Sequence, residues 1–487
     1  MGTAATRETP LPAEPSLATA PPRTPASAEG QEGLPTLVLT HGSGSLDAYA
    51  AQLAERLPVP ILDAAGRGPV ARRFNLPLLS REAARTALED ASLVRRMRLT
   101  RAPLHLPNQH LGRYGRFLSA PFVVTVHDLI RHFDRRRDEV LIHKPNVRDR
   151  VYLGLDYAGV RRAAALIAVS ERTKRDLVDH LAVPADRVVV VYNGVDHSTF
   201  RPVERRLFDF PYVLFVGSEH PRKNLTGLLL AMKRLEREPA FAGVRLVKVG
   251  DPGGPEAPFR ARTLRAVKDL GLEERVLFAG RVDDEDLAAC YAGAKCFVLP
   301  SLYEGFGLPA VEAMACGCPV IASAAGALPE VVGEAALLID PASVDSLAGA
   351  LLEALDGVTA RELAARGLVR AQDFCWHRTA EETLRVYERL PASETAAPRR
   401  APPSPRRVSA VARRRPAEGR TGREPGDGRR GEEAPVGSPF VPSGHDGRAV
   451  VWAVGDGADG GAVARAVASY ISAAGPDRFL YLGDVYD

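Results

Sequence analysis

Short apolar runs recur along this chain, each closed by glycine, proline or a small polar residue and followed by a longer amphipathic stretch. PTLVLT opens the series as a buried strand, and Leu46, Tyr49, Ala50, Leu53 and Leu57 then fall on one helix face. The pattern weakens over 58–108, giving a helix over 81–97 and a short strand near PLHLP. FVVTVHDLI restores it as a β-branched strand. A helix, the strand ALIAVS, a helix in SERTKRDLVDHL with Ser170 as N-cap, and the strand of DRVVVVYNGVD complete a first half. The second half repeats the rhythm with PYVLFVG, VRLVKVG, RVLFAG, KCFVLPS, PVIAS and AALLID as strands and helices such as KNLTGLLLAMKRL between them. Strands alternating with helices across short connections require parallel sheets covered on both faces, so the fold class is α/β and doubly wound.

The same pattern sets the domain organisation. Residues 1–33, rich in Ala, Pro, Thr and Glu, offer almost nothing to bury and read as a disordered tail. A first Rossmann-like domain spans 34–206 and a second 207–375, with a helix over 376–390. Residues 391–447 carry PPSPRR, RRRP and GDGRR, a self-repelling linker that stays disordered. Residues 448–487 read as a short strand–helix–strand fragment with an aspartate, Asp456 or Asp484, at the end of each strand.

Composition excludes several function classes. The chain has 487 residues, 45% hydrophobic and 25% charged, enough for two or three ordinary globular domains. Net charge is +4, but residues 391–440 hold eleven arginines against six acids, so the remainder is near −1 and nucleic acid is not a partner. The five cysteines form no Cys-x-x-Cys pair, which disfavours disulfides or a zinc site and fits a reduced, cytoplasmic setting. No run of about 18 apolar residues and no signal peptide is read, so any membrane contact is peripheral, at the inner face.

Candidate chemistry concentrates in LPSLYEGFGLPAVEAMACGCPV, residues 299–320. A buried strand runs into a turn marked by Gly305 and Gly307, and a helix follows with Pro309 in its first turn. Backbone N–H groups of Phe306, Gly307 and Leu308 are candidate donors to an anion at the helix start. Glu304 and Glu312 bracket the turn, placed to accept hydrogen bonds from two hydroxylated rings of one ligand. In GSEHPRKNL, Gly217 ends a strand, and Arg222 and Lys223 precede a helix starting near Asn224. Two cations there oppose the helix dipole, and an anion would relieve them; a guanidinium fork beside an ammonium suits a diphosphate. His127 and Asp128 lie at the carboxyl end of FVVTVHDLI. Gly42 and Gly44 form a glycine loop after the first strand, which lacks the third glycine of a dinucleotide fingerprint.

The wording YEGFGLPxxEAMACGCPVI resembles the Glu-x7-Glu signature of retaining family 4 glycosyltransferases of the GT-B architecture, in which two Rossmann-like domains face a cleft. VxTxHD, VSxxTxxDL, NGVDxxxF and GxxxPRKN are similar to further segments of that family, and the resemblance covers roughly residues 34–390. It implies transfer of a hexose from a nucleoside diphosphate sugar to a hydroxyl of a glycan or lipid-linked acceptor, in glycan or glycolipid synthesis. It also implies retention of configuration and no required cofactor or metal. His127, Arg222, Lys223 and Glu304 take the catalytic roles in this reading. Gly42, Gly44, Gly217, Gly305, Phe306, Gly307, Leu308 and Glu312 bind the donor. The PRKN form favours GDP-mannose, with UDP- and ADP-sugars left open, and the helix over 376–390 resembles one that crosses back to the first domain. Lys223 is expected to stand exposed in the cleft. Oligomeric state and acceptor identity are left open.

The GD…GDVYD pair in the last forty residues resembles the opening of a calcineurin-like metallophosphoesterase, whose metal ligands would begin with Asp456 and Asp484. No imidazole ligands follow, so this fragment reads as incomplete. The alternatives to a transferase are a non-catalytic nucleotide-sugar-binding module, a bifunctional transferase and phosphoesterase, and, more weakly, a dehydrogenase.

Overall fold

The structure is a computed structural model, and it describes residues 34–41, 44–64, 81–100, 102–136, 141–253, 258–390, 452–454 and 479–481. The chain separates into two compact units, residues 1–401 and 402–487.

The first unit is built on two six-stranded parallel sheets. One contains β1 (Thr36–Leu39), β2 (Ile61–Asp63), β3 (Leu104–Leu106), β4 (Phe122–Val126), β5 (Ala165–Ala168) and β6 (Val188–Val190), in the order β2-β1-β3-β4-β5-β6. The other contains β7 (Tyr212–Val216), β8 (Arg245–Val249), β9 (Val276–Gly280), β10 (Cys296–Leu299), β11 (Val320–Ser323) and β12 (Ala336–Ile339), in the order β12-β11-β10-β7-β8-β9. Continuous apolar runs such as FVVTV and YVLFV are buried throughout because helices cover both faces of each sheet. The weakly patterned region contributes β2, an edge strand whose Ile61 is 46% exposed, so no inward-facing alternation marks it in the sequence.

The faces of the first sheet have different partners. Leu93, Met97, Leu153, Tyr157 and Leu177, from helices Arg81–Leu99, Val147–Arg162 and Glu171–Leu181, pack on one face. The opposite face is covered by helix Ser45–Arg56 and by helix Trp376–Glu388, whose Trp376, Ala380, Val386 and Tyr387 pack with Leu37, Tyr49, Leu53 and Ile167. Tyr387 Oη lies 2.7 Å from His105 Nδ1, and Thr379 Oγ1 donates to the Tyr192 carbonyl at 2.8 Å. The chain thus returns to its first sheet after completing the second.

In the second unit β13 (Trp452–Val454) pairs in parallel with β14 (Phe479–Tyr481), Trp452 opposite Phe479. The helix expected between them, and Asp456 and Asp484, lie outside the described residues, as do 1–33 and 391–447.

Candidate active site

Strand order in the second sheet reverses between β7 and β10, and open α/β sheets bind ligands beyond the carboxyl ends of strands at such a reversal. The loops leaving these two strands carry most of the candidate residues. They are joined directly, since the Leu302 N–H donates to the Arg222 carbonyl at 2.7 Å. After β7, Pro221–Lys223 forms a single 3-10 turn, and Asn224 takes the left-handed conformation (φ 53°) as N-cap of helix Leu225–Arg234. Its side-chain amide donates to the carbonyls of Pro300 (3.1 Å) and Pro341 (2.8 Å), pinning the turn against the loop after β10.

That turn aims both cations at one carboxylate. Glu304 Oε1 lies 2.9 Å from Arg222 Nη1 and 2.7 Å from Lys223 Nζ, and it accepts a hydrogen bond from Ser301 Oγ at 2.7 Å. Burial would raise the Glu304 carboxyl, but the two cations and Ser301 overcome it and hold it at about 2. The anion that relieves two cations at a helix start is therefore built into the protein, alongside any that a ligand brings. The expectation that Lys223 stands exposed is corrected: it is only 7% exposed. Its stem lies over Gly217, where an added Cβ would sit 3.3 Å from Lys223 Cε, and its ammonium turns inward to Glu304.

Glu312 lies about one turn into helix Leu308–Ala315 and has a different environment. Tyr291 donates its hydroxyl to Glu312 Oε2 at 2.9 Å, and burial pushes the carboxyl up to about 7. One carboxylate of the motif is thus held ionised, and the other is poised at neutral pH.

The glycine turn between them is pressed against the first sheet. A Cβ on Gly305 would sit 1.8 Å from the His127 carbonyl oxygen, so only glycine fits. The Gly305 carbonyl accepts hydrogen bonds from Ser170 Oγ (2.7 Å) and Thr173 Oγ1 (3.3 Å) at the start of helix Glu171–Leu181. Gly307 caps the next helix at φ 101°, with Pro309 in the first turn behind it. Phe306 is a packing residue, with ring contacts to Tyr192 and Phe374, and Leu308 is half-buried against the same core. A second tie between the halves is Glu330, whose carboxylate accepts from the backbone N–H groups of Glu171 (2.7 Å) and Arg172 (3.1 Å). Negative charge at that helix start is favoured by the dipole.

His127 emerges from β4 on the facing sheet. Its Nε2 lies 2.9 Å from the Pro107 carbonyl, which can only accept, so the ring proton resides on Nε2 and Nδ1 is an acceptor. Burial draws the imidazole down to about 4, against the opposing pull of the Pro107 carbonyl, so the ring is neutral at pH 7. Tyr49 packs edge-on at 4.7 Å. Asp128 beside it caps the Ile130 N–H at 3.0 Å, and burial raises its carboxyl while Arg222 opposes the shift.

The structure therefore brings Arg222, Lys223, Glu304 and Gly305 together and sets Gly305 on the backbone of His127. Glu312 hydrogen-bonds none of these. Gly44 is the N-cap residue of helix Ser45–Arg56, and Gly42 lies outside the described residues. Ser301, Tyr291, Ser170, Thr173 and Asn224 build the site without carrying a candidate role in the sequence reading. Ser170, read as an N-cap, and Asn224, read as a helix start, were marked for local structure alone, and Ser301 stands three residues before the glutamate it supports.

Two family models meet at residue 199: Glycosyltransferase Family 4 over residues 31–199 and Glycosyl transferases group 1 over residues 197–366. The chain is 36% identical over 238 residues to O-antigen chain mannosyltransferase B of Escherichia coli, covering 47% of this chain and 61% of that protein. It is 37% identical over 285 residues to the MMP alpha-(1->4)-mannosyltransferase of Mycolicibacterium hassiacum, covering 57% and 67%. Among solved structures, sucrose-phosphate synthase of Thermosynechococcus elongatus superposes with TM-score 0.60 at 26% identity, covering 73% of this chain and 99% of that one. Anabaena HepE in complex with UDP-glucose superposes with TM-score 0.59 at 20% identity, covering 73% and 100%, a likeness of fold. Two Rossmann-like parallel sheets with a site at their facing ends define a GT-B glycosyltransferase fold. The chain belongs to the glycosyl transferases of group 1, family 4. It spans less than two thirds of the length of the E. coli relative. Among the described residues no helix is long and apolar enough to cross a membrane.

Proposed function

We propose that this chain is a retaining glycosyltransferase that moves a hexose, mannose foremost, from a nucleoside diphosphate sugar to a hydroxyl of a glycan or lipid-linked acceptor. The observation that carries the reading is the buried Arg222–Glu304–Lys223 cluster at the sheet's reversal point, beside a helix start and opposite His127. A donor diphosphate competes with Glu304 for the two cations. As it takes them over, the Glu304 carboxylate is released to accept hydrogen bonds from the sugar, so donor entry and sugar orientation are one event.

In transfer the sugar–phosphate bond breaks, and charge grows on the leaving diphosphate. Arg222, Lys223 and the N–H groups at the start of helix Leu308–Ala315 stabilise that charge, and a leaving-group oxygen takes the acceptor's proton. Glu304 faces the transferred sugar as it acquires oxocarbenium character, and Glu312 holds the ribose. His127, neutral at pH 7, offers Nδ1 as an acceptor to a hydroxyl without competing for the phosphates. Two cations and a helix start supply this electrostatics, so the reaction is read as metal-independent. Mannose is supported by the two mannosyltransferase relatives. Free cysteines, four of the five buried, support a reducing cytoplasmic setting. The phosphoesterase-like reading of residues 448–487 rests on the GD…GDVYD wording of the sequence alone.

The test incubates the chain with GDP-mannose, UDP-glucose and ADP-glucose, with and without EDTA, and follows nucleoside diphosphate release. A parallel thermal-shift series uses GDP, UDP and ADP; a nucleotide at a hundred times its dissociation constant adds about 2.7 kcal/mol. GDP-mannose turnover undiminished by EDTA is expected. Binding without release in the presence of varied sugar acceptors would make the chain a binding module, and no response to any nucleotide would overturn the reading.

A further inference from the structure

Asp176 of the VSxxTxxDL segment and Tyr303 of the YEGFG segment stand 127 residues apart, and the fold joins them: the buried Tyr303 hydroxyl donates to Asp176 Oδ2. Ser170 is the N-cap of helix Glu171–Leu181, and Thr173 and Asp176 follow at three-residue steps, so the three side chains lie along one side of the helix start. Ser170 and Thr173 hold the Gly305 carbonyl, while Asp176 holds Tyr303. The residues on either side of Glu304 are thus gripped by one helix of the first half.

Tyr303 belongs to the second half by sequence and to the first half by packing. It is buried in the apolar layer of Leu129, Phe133, Leu177 and Leu181, with Phe133 edge-on at 5.3 Å and the Arg172 guanidinium over its ring at 5.5 Å. Phenylalanine would fill that space equally well. What the hydroxyl adds is a bond to a carboxylate that is only 3% exposed, and a carboxylate is costly to bury unless it is paired. Asp176 is paired on its own helix: Arg172 Nε lies 3.1 Å from both of its oxygens, and His180 Nε2 lies 3.8 Å from Oδ1. Burial, and next the Asp176 charge, push the Tyr303 phenol far above its ordinary range, so it stays a donor. The backbone around Glu304 has little freedom left, because its carbonyl accepts from the Ala327 N–H at 2.9 Å and the Tyr303 carbonyl accepts from Arg222 Nη1 at 3.4 Å. With both neighbours anchored, the seat of Tyr303 sets the direction of the Glu304 carboxylate.

We propose that Tyr303 and Asp176 are positioning residues for transfer: the tyrosine, seated in the first half by the buried aspartate, aims the Glu304 carboxylate at the transferred sugar. The inference rests on the transfer reading and adds to it the pair that acts on the sugar through Glu304. Neither side chain touches the donor. Their effect therefore falls on turnover, where a small misplacement of a group facing the reacting sugar is costly, and spares the nucleotide, which Glu304 does not hold.

The test measures initial rates with GDP-mannose, or with whichever of the three nucleotide sugars the parent turns over, and the affinity of the matching nucleoside diphosphate by calorimetry. Tyr303→Phe keeps the ring and its packing; it should lower kcat about tenfold or more and leave nucleoside diphosphate affinity within about twofold. Asp176→Asn, whose amide oxygen still accepts from the phenol, should lose less than Asp176→Ala, and it serves if the alanine variant does not fold. The decisive comparison repeats Tyr303→Phe in Glu304→Ala, with Glu304→Gln as a second background. There it should cost less than about twofold, because the group it aims is gone. An equal loss of kcat with and without the Glu304 carboxylate would give Tyr303 a merely structural role and overturn the proposal. So would a loss of nucleoside diphosphate affinity parallel to the loss of kcat. A parent that turns over none of the three sugars overturns the transfer reading and this inference with it, whereas an active parent beside an equally active Tyr303→Phe overturns this inference alone.

Discussion

Removing the Lys223 ammonium tests the central cluster most sharply, because that group lies inside the protein. In Lys223→Ala the buried Glu304 carboxylate keeps Arg222 at 2.9 Å and Ser301 at 2.7 Å but loses its nearest cation. Stripping every partner from a buried charge costs about 3–5 kcal/mol, and a single charge-assisted hydrogen bond contributes about 1.5–3 kcal/mol. With one cation left, a loss of about 2 kcal/mol is expected. At ~2.1 cal/mol/K of unfolding entropy per residue, that corresponds to a fall of about 3 °C in melting temperature for a body of this size. The pH dependence carries the signature. Glu304 is depressed, so its contribution is present above the ordinary carboxylate range, near 4.3, and is lost as pH falls through about 2. In the variant, burial is opposed only by Arg222 and the Ser301 hydrogen bond, the carboxyl rises, and acid destabilisation begins at higher pH. Thermal scans from pH 2 to 8 measure this, and a Lys223→Ala, Glu304→Gln double variant closes the cycle. The double variant should be less destabilised than the sum of the singles by about 1 kcal/mol or more. Unchanged melting with additive singles would show that the ion pair contributes nothing and refute the reasoning. Donor kcat/KM should fall ten- to hundredfold in the same variant.

Gly305→Ala places a methyl group 1.8 Å from the His127 carbonyl, so the halves must separate there; transfer should fall more than about a hundredfold while far-UV circular dichroism is preserved, and parental rates would show the contact is dispensable. Glu304→Gln should lower turnover but leave nucleoside diphosphate affinity nearly intact, whereas Glu312→Gln should weaken both; calorimetry showing the opposite pattern would reverse the two roles. Glu312 is raised to about 7, so its contribution to stability is complete below the ordinary carboxylate range and is lost as pH rises through 7. Melting temperatures at pH 5 and 8 should therefore diverge in the parent and converge in Glu312→Gln.

Hydrophobic periodicity was enough to read two parallel α/β sheets, because most central strands are largely apolar runs, several of them, such as YVLFV and CFVL, met by proline or glycine. It failed at Ile61–Asp63, where an exposed edge strand has no buried face to leave a pattern. The cluster was legible in part. Adjacent Arg222 and Lys223 at a helix start announce an unmet charge, but the carboxylate that meets it lies 82 residues beyond Arg222. Only the strand order, with β10 beside β7, brings the two loops together, and nothing local encodes that order. The same gap explains the misplaced Lys223: a cation before a helix looks exposed until its partner is known. Tyr291, from a helix on another segment, had no signal at all. Ser301 had a weak one, three residues before the glutamate it supports.

The return of helix Trp376–Glu388 to the first sheet has a consequence for biosynthesis. Leu37, Tyr49, Leu53 and Ile167 stay partly uncovered until that helix arrives, although all of them are made before residue 170. At about 5–20 residues per second, the intervening chain takes a translating ribosome roughly 10–40 s. Through that interval the nascent first half presents an apolar face that the second half, folding in the meantime, does not cover. Such a chain is a natural client for holding chaperones. A gene cut near residue 206 should give an insoluble fragment, which the peptide spanning 370–390, supplied in trans, should rescue.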